Sequence, residues 1–191
     1  SAGEFSPKKE NYPSYMSRDE KNFRSLHAIR LLKESVDMDL DKLIKLAYDP
    51  YLPAFEILIP GLIRVYDQSE KEAALSAPIE ILRNWDFAVS KESVAMTLAH
   101  YYGTNCLRVG DRSDDLKFIE LVRYWSEASP IDERLLLFKN AIADLNKDFG
   151  SWNQTWGQVN RYQRFSGVIR QNFSDEKPSV PIGLVSGNWG A

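Results

Sequence analysis

SPIDERLLLFKNAIADLNKDFG, residues Ser129–Gly150, is the stretch that sets the fold class. Ser129-Pro130 opens a helix, because proline's fixed φ and missing N–H suit a first helical position, and Gly150 ends it. The same grammar recurs upstream. Ser113 or Asp114 starts a helix to about Ala128, and Ser90 caps one to about Tyr102 that Gly103 stops. Ser69-Glu70-Lys71-Glu72 has the spacing of a capping box, ahead of a helix that reaches Trp85 with Pro78 interrupting it. Pro53 suits the first turn of another. Pro60 lies inside its apolar run, Phe55 to Val65, and predicts a kink or break near Ile59. Asp39 caps a short helix through about Tyr48, with Leu40, Leu43, Ile44 and Ala47 at helical spacing. Ser17-Arg18-Asp19-Glu20 is a further capping box, and its helix runs to about Glu34, burying Leu26, Ile29 and Leu32.

The expected fold is therefore mainly α: an irregular multi-helix domain with a long loop-rich C-terminal segment. Residues 1–16 carry turn signals (Gly3, Pro7, Asn11, Pro13) and read as an extended lead-in segment. Residues 17–150 form the helical domain. In residues 151–191 the texture changes: Trp152, Trp156, Val159, Tyr162, Phe165 and Val168 are spread among Gly, Ser, Asn and Gln, and Pro178, Pro181, Gly183, Gly187 and Gly190 follow. That segment reads as an irregular tail, with short strands at most, packing on the helices. No internal repeat is visible.

Composition narrows the function without naming it. The chain has 191 residues, 43% hydrophobic and 27% charged, with a net charge of −3. That is an ordinary globular balance for one domain, or one with a small extension. A phosphate backbone needs a basic stripe, so nucleic acid is not an expected partner. Pro60 and scattered charges interrupt every apolar stretch, so no membrane span is expected. The first residues are polar and lack the apolar core of a secretory signal. Cys106 is the one cysteine, so no internal disulfide forms.

Most chemical motifs are missing. His27 and His100 are far apart in sequence, with no zinc-type spacing, and read as surface or boundary histidines. Gly110-Asp111-Arg112-Ser113-Asp114-Asp115 is acidic but lacks the order of a calcium loop, and reads as a solvated helix start. No phosphate loop or nucleophile elbow is present. Cys106, two residues before Arg108, reads as inert packing. Asp37, Asp39 and Asp41 read as caps and solvated faces. The aromatics of the tail read as anchors to the helices, with a stacking platform for sugars or bases as the other reading. Ser1 would need partners to act as an N-terminal nucleophile, and Ser1-Ala2-Gly3 supplies none. Arg24 stacks with Ala28 and Leu31 at helical spacing, which puts its guanidinium at the edge of the apolar stripe. Geometry alone makes it a border arginine whose stem passes the core.

Several short segments together resemble a known family. Tyr12-Pro13, Arg24 and Arg30-Leu31-Leu32, then Leu82-Arg83-Asn84-Trp85-Asp86, are similar to segments of the penicillin acylase family of N-terminal nucleophile hydrolases. Pro60 inside an apolar helix has a parallel there. Trp156-Gly157-Gln158-Val159-Asn160-Arg161, followed by Pro181-Ile182-Gly183, resembles the end of this region in the acyl-homoserine lactone branch. The order and spacing hold over roughly residues 11–191.

The resemblance implies a parent enzyme made as one precursor, exported to the periplasm or secreted, that cleaves itself into two chains. The new N-terminal serine of the larger chain attacks an amide carbonyl, with its own α-amino group as base and an asparagine in the oxyanion hole. A downstream arginine supports that asparagine and the serine amine, and Arg24 matches it by its spacing to Arg30. This chain then corresponds to the helical middle part of the larger chain, inserted in an αββα sandwich. Its partners are the smaller chain and the sandwich core, and the intact enzyme's substrate is a small N-acyl amide of the β-lactam or acyl-homoserine lactone class. No cofactor and no metal ligand is assigned here; a structural calcium in the parent has no assignable ligand in this chain. Ser1 does not match the family nucleophile, being followed by Ala2 rather than asparagine and lying too close to Arg24. The isolated chain is expected to hydrolyse nothing. The alternative is a stand-alone helical module that binds a protein or peptide.

Overall fold

The computed structural model describes residues 13, 22–110, 117–164, 166–170, 172–185 and 187–190. Among them it is mainly helical. The helices are α1 (Phe23–Glu34), α2 (Leu40–Ala47), α3 (Pro53–Gln68), α4 (Ala73–Arg83), α5 (Val94–Gly110), α6 (Phe118–Arg123), α7 (Ile131–Phe149) and the single turn α8 (Trp156–Val159). A π-helical turn, Tyr124–Ala128, joins α6 to α7. Two short antiparallel strands, β1 (Arg161–Tyr162) and β2 (Val180–Pro181), pair Arg161 with Pro181 and Tyr162 with Val180. A 3₁₀ turn, Gly187–Trp189, follows.

Helix α3 is the axis of the core, and it packs on α1, α4, α5, α6 and α7. Its apolar residues run almost all round: Ala54, Phe55, Leu58, Ile59, Leu62 and Val65 are all buried. Such a helix has to be enclosed. Pro60 does not break it, contrary to the sequence expectation; α3 is one helix over 16 residues. The proline removes one backbone donor, and the packing around it offsets that loss. The Ser126 hydroxyl, in the π turn, donates to the Ile57 carbonyl over 2.7 Å. Gly61 makes room for that approach, since a Cβ there would lie 2.7 Å from the Ser126 Cα. The π turn is defined by the bond from the Ser129 N–H to the Tyr124 carbonyl, 2.8 Å. Buried Arg134 secures it, donating to the Ser126 carbonyl at 2.7 Å and the Ser129 hydroxyl at 2.8 Å.

Other boundaries also move from their expected places. Helix α1 is capped by Asn22, in a reciprocal box with Ser25; Ser17–Glu20 and the lead-in, Pro13 apart, lie outside the described residues. Leu32 is exposed rather than buried. Ser69 closes α3 by donating to the Tyr66 carbonyl, 3.0 Å, instead of capping α4. Pro78 is buried inside α4 without interrupting it. The Ser93 hydroxyl, not Ser90, accepts from the first turn of α5. That helix continues through Gly103 to Gly110, because the glycine gives passage rather than a stop: a Cβ at Gly103 would meet the Trp189 ring at 2.7 Å. Asp39 does cap α2, accepting from the Lys42 N–H at 2.8 Å. Ser113 and Asp114 lie outside the described residues, but Lys117 is extended, so the helix expected from them begins only at Phe118.

The tail reaches back onto the helices through two tryptophans. Trp156 and Trp189 are both buried in the core cluster. Trp189 stacks on Phe55 at 4.6 Å, and the Trp156 indole donates to the Leu184 carbonyl at 3.0 Å. Their faces are therefore not open for stacking on a sugar or base. Phe165 lies outside the described residues.

Candidate functional site

Arg24 is the second residue of α1, and its surroundings follow from the cap. The Asn22 side chain accepts from the Ser25 N–H at 2.9 Å, and Phe23 is buried edge-on against Phe118 at 5.9 Å. This sets the helix so that Arg24 and Ala28 face outward, with Leu32 below them. Leu31, expected to stack with Arg24 and Ala28, is half-buried, while Arg24 and Ala28 are exposed. The buried side carries Phe23, Ser25, His27 and Ile29. No bond to Arg24 is found among the described residues. Its place is electrostatically poor, because a helix N-terminus carries partial positive charge and favours an acid. The first turn of α1 contains no acidic residue.

Beside Arg24 lies a polar network. His27 is buried, and its Nε2 lies 2.8 Å from Asp49 Oδ1. Its Nδ1 lies 3.1 Å from Arg30 Nη2. A guanidinium only donates, so this contact is a hydrogen bond where Nδ1 accepts, which leaves Nε2–H to donate to Asp49. Arg30 also donates to Glu56 Oε2 at 3.0 Å and lies over the Tyr51 ring, 4.7 Å from its centroid. Burial lowers the Arg30 proton affinity, but the Glu56 carboxylate outweighs it and the guanidinium is held above its usual range. Burial, followed by Glu56, pushes the Tyr51 phenol up. Tyr51 stacks on His27 at 5.3 Å, and its N–H donates to Asp49 Oδ1 at 3.0 Å.

The Trp85-Asp86 segment supports this network from behind. The Asp86 carboxylate accepts from the Ala88 N–H and the Trp85 indole donates to the Ala88 carbonyl, both at 3.0 Å. The resulting turn bridges Ala88 to Tyr51 and sends Phe87 against the Tyr51 ring at 6.2 Å. Phe87 holds a φ of 58°. A bulky residue adopts that only where its surroundings over-determine it. Here the Leu52 N–H donates to the Phe87 carbonyl at 2.8 Å. So Arg30 and the Trp85-Asp86 turn, distant in sequence, meet at Tyr51, with Arg24 on the outer side of the same helix as Arg30.

The third segment, Trp156 to Arg161, lies elsewhere. Its Trp156 and Gly157 N–H groups donate to the Ser93 and Lys91 carbonyls at 2.9 and 2.7 Å, which seats α8 on the start of α5. It walls a cleft of about 440 Å³ between α5, α7 and α8, whose lining includes His100, Tyr101, Arg108, Asp144 and Asn160. His100 is half-buried, the boundary histidine expected, but its Nδ1 is buried with no partner among the described residues, and burial pulls the imidazole down to about 4. Cys106 is buried beneath, and burial pushes its thiol up to about 12, far from a reactive thiolate.

A family model described as penicillin amidase matches residues 4–183. The chain belongs to the penicillin amidase family. No curated protein matches it significantly. Penicillin amidase membership supports an amidase-type hydrolase as the class of the enzyme concerned. Asp49, Tyr51 and Glu56 are the members of the corner that sequence reading missed. One signal was available: His27 and Arg30 are three residues apart, which makes them neighbours on a helix surface. Ser1 and Asp111–Asp115 lie outside the described residues, and no metal-ligating cluster is found among those that are described. Likewise no described helix is long and apolar enough to cross a membrane.

Proposed function

We propose that this chain is the helical middle part of the larger chain of a penicillin-amidase-type acylase. The intact enzyme hydrolyses the amide of an N-acyl substrate, of the β-lactam or acyl-homoserine lactone class. The family match over residues 4–183 carries this reading. In the reaction, an N-terminal serine hydroxyl adds to the amide carbonyl while its α-amino group takes the proton. Collapse of the tetrahedral adduct passes that proton to the leaving amine, and water then releases the acyl group. Arg24 has the supporting role, holding the oxyanion asparagine and the serine amine from outside the reacting atoms.

Two features support it. A cation in an exposed first turn, with an unfavourable helix dipole and no described partner, is a local cost that a supporting role elsewhere would explain. The outer surface from the last turn of α1 through the link to α2 is apolar: Leu32, Val36 in the link, and Leu40, Leu43 and Ile44 on α2 are all exposed. We read them as the seat of the smaller chain and sandwich core. Export, self-cleavage and a calcium bound by the rest of the enzyme belong to the same proposal. On this reading the nucleophile, base and oxyanion asparagine belong to the rest of the enzyme, and the isolated chain should turn over no acyl-homoserine lactone or penicillin. The intact enzyme should do so, and Arg24→Ala in it should lower kcat. Turnover by the purified 191-residue chain would refute the reading. The exposed face of α2 also favours a second reading, a stand-alone module docking a partner helix. A gene without a serine-asparagine cleavage point upstream would select it.

A further inference from the structure

We propose that His27 is a positioning residue for Arg24, clamped between Asp49 and Arg30, and that it serves only as the neutral tautomer. This rests on the reading of Arg24 as a support for an amide-cleaving centre. Arg24 and His27 are three residues apart, so they lie about 4.5 Å apart along α1 and roughly 60° around it. An arginine tip stands roughly 9 Å from the helix axis, so rotating α1 by about 20° moves the guanidinium through about 3 Å. Misplacement of about 1 Å at a catalytic constellation is enough for a loss of about 100-fold. The azimuth of α1 therefore has to be fixed, and directional hydrogen bonds add to what the Asn22 cap and the buried Phe23 and Ile29 supply.

Among the described residues, the side-chain hydrogen bonds that tie α1 to other elements come from His27 and Arg30. Asp49 Oδ1 receives both the His27 Nε2–H and the Tyr51 N–H, which ties α1 to the segment before α3. Arg30 spans from His27 Nδ1 to Glu56 in the first turn of α3. The Trp85-Asp86 turn holds Tyr51 from the other side. Each link has a fixed donor and acceptor, and a proton on Nδ1 would abolish the acceptor for Arg30 and set two cations together. Glutamine offers the same donor and acceptor without a site to protonate, whereas alanine offers neither.

The test uses the intact, self-processed enzyme and a double-mutant cycle. His27→Ala should lower kcat by about 10- to 100-fold and leave KM within about threefold. His27→Gln should recover most of that loss. In an Arg24→Ala background, His27→Ala should change kcat by less than about twofold, because its effect passes through Arg24. Losses that multiply instead, or a glutamine variant as poor as alanine, overturn the proposal. A second measurement needs no activity: in the 191-residue chain, His27→Ala should speed amide exchange across residues 23–34 about 10-fold while α5 and α7 keep their protection. Unchanged exchange in α1 also overturns it. An intact wild type with no amide turnover sinks the parent reading and this proposal together, and is told apart because the wild type itself is silent.

Discussion

Helices α2 and α3 follow one another and look alike in sequence, each with leucine and isoleucine at helical spacing. In α3, Leu58, Ile59 and Leu62 are at most 1% exposed. In α2, Leu40 is 71% exposed and Leu43 and Ile44 are each 48% exposed, and the helix buries nothing. The α2 pattern is as amphipathic as any in the chain. Helical spacing therefore declares that a face has a partner, but not that the partner lies in the same chain. The polar corner shows the complement. Arg30 and Glu56, paired at 3.0 Å and both partly exposed, join α1 to α3 at the edge of the dry core.

Three substitutions sharpen the contrast, the largest first. Phe138 on α7 is fully buried, edge-on to Tyr102 at 5.8 Å. Phe138→Ala should destabilise the chain by about 3–5 kcal/mol in a denaturant melt, through lost transfer energy and the cavity left behind. A cost below about 1 kcal/mol would mean the core described here is not the one that holds the fold. His100 gives the next effect. Its folded value of about 4 lies below the ordinary 6.5, so between these the unfolded chain binds more protons. The associated stability is fully present above about pH 6.5 and is lost as pH falls towards 4, by up to about 3 kcal/mol. His100→Phe should flatten that limb; a variant with the same acid sensitivity would place the titration elsewhere. Third, Gly61→Ala presses a methyl group into the Ser126 backbone, which has no flexible end to give way. Calorimetry should show a loss of about 1–3 kcal/mol. Ser126→Ala should not relieve it, because the carbonyl and Cα remain.

The sequence made the helices legible and their ends only partly so. Asp39 and Gly150 act as read: Asp39 caps α2, and Gly150 closes α7 with a φ of 75°. The misread signals share a cause. Pro60, Pro78 and Gly103 are local breakers, and tertiary packing overrides all three: the enclosure of α3 at Pro60, the core around Pro78, Trp189 over Gly103. Local propensity is weak beside burial of this extent. The π turn had no signature, since it depends on Gly61 in a helix more than sixty residues upstream. At the corner, Arg24 was singled out by resemblance, yet the residues that hold its helix were not. His27 looked like a boundary histidine because Asp49 is 22 positions away and only the fold brings it near.

The smallest effect is the one that bears most directly on the comparison. Leu43 contributes little to the chain by itself, since half of its surface is already in water. Leu43→Asp together with Leu40→Glu should leave the denaturant midpoint equivalent to within about 0.5 kcal/mol, the usual range for surface changes away from special features. The same pair should abolish any concentration-dependent self-association in sedimentation, because an exposed apolar face of this kind is what draws copies together. In the intact acylase the outcome should reverse, with the two acids meeting a dry interface and the assembled enzyme losing stability. A pair that destabilises the isolated chain by several kcal/mol would show that α2 buries its face within the 191 residues after all, and the distinction from α3 would disappear.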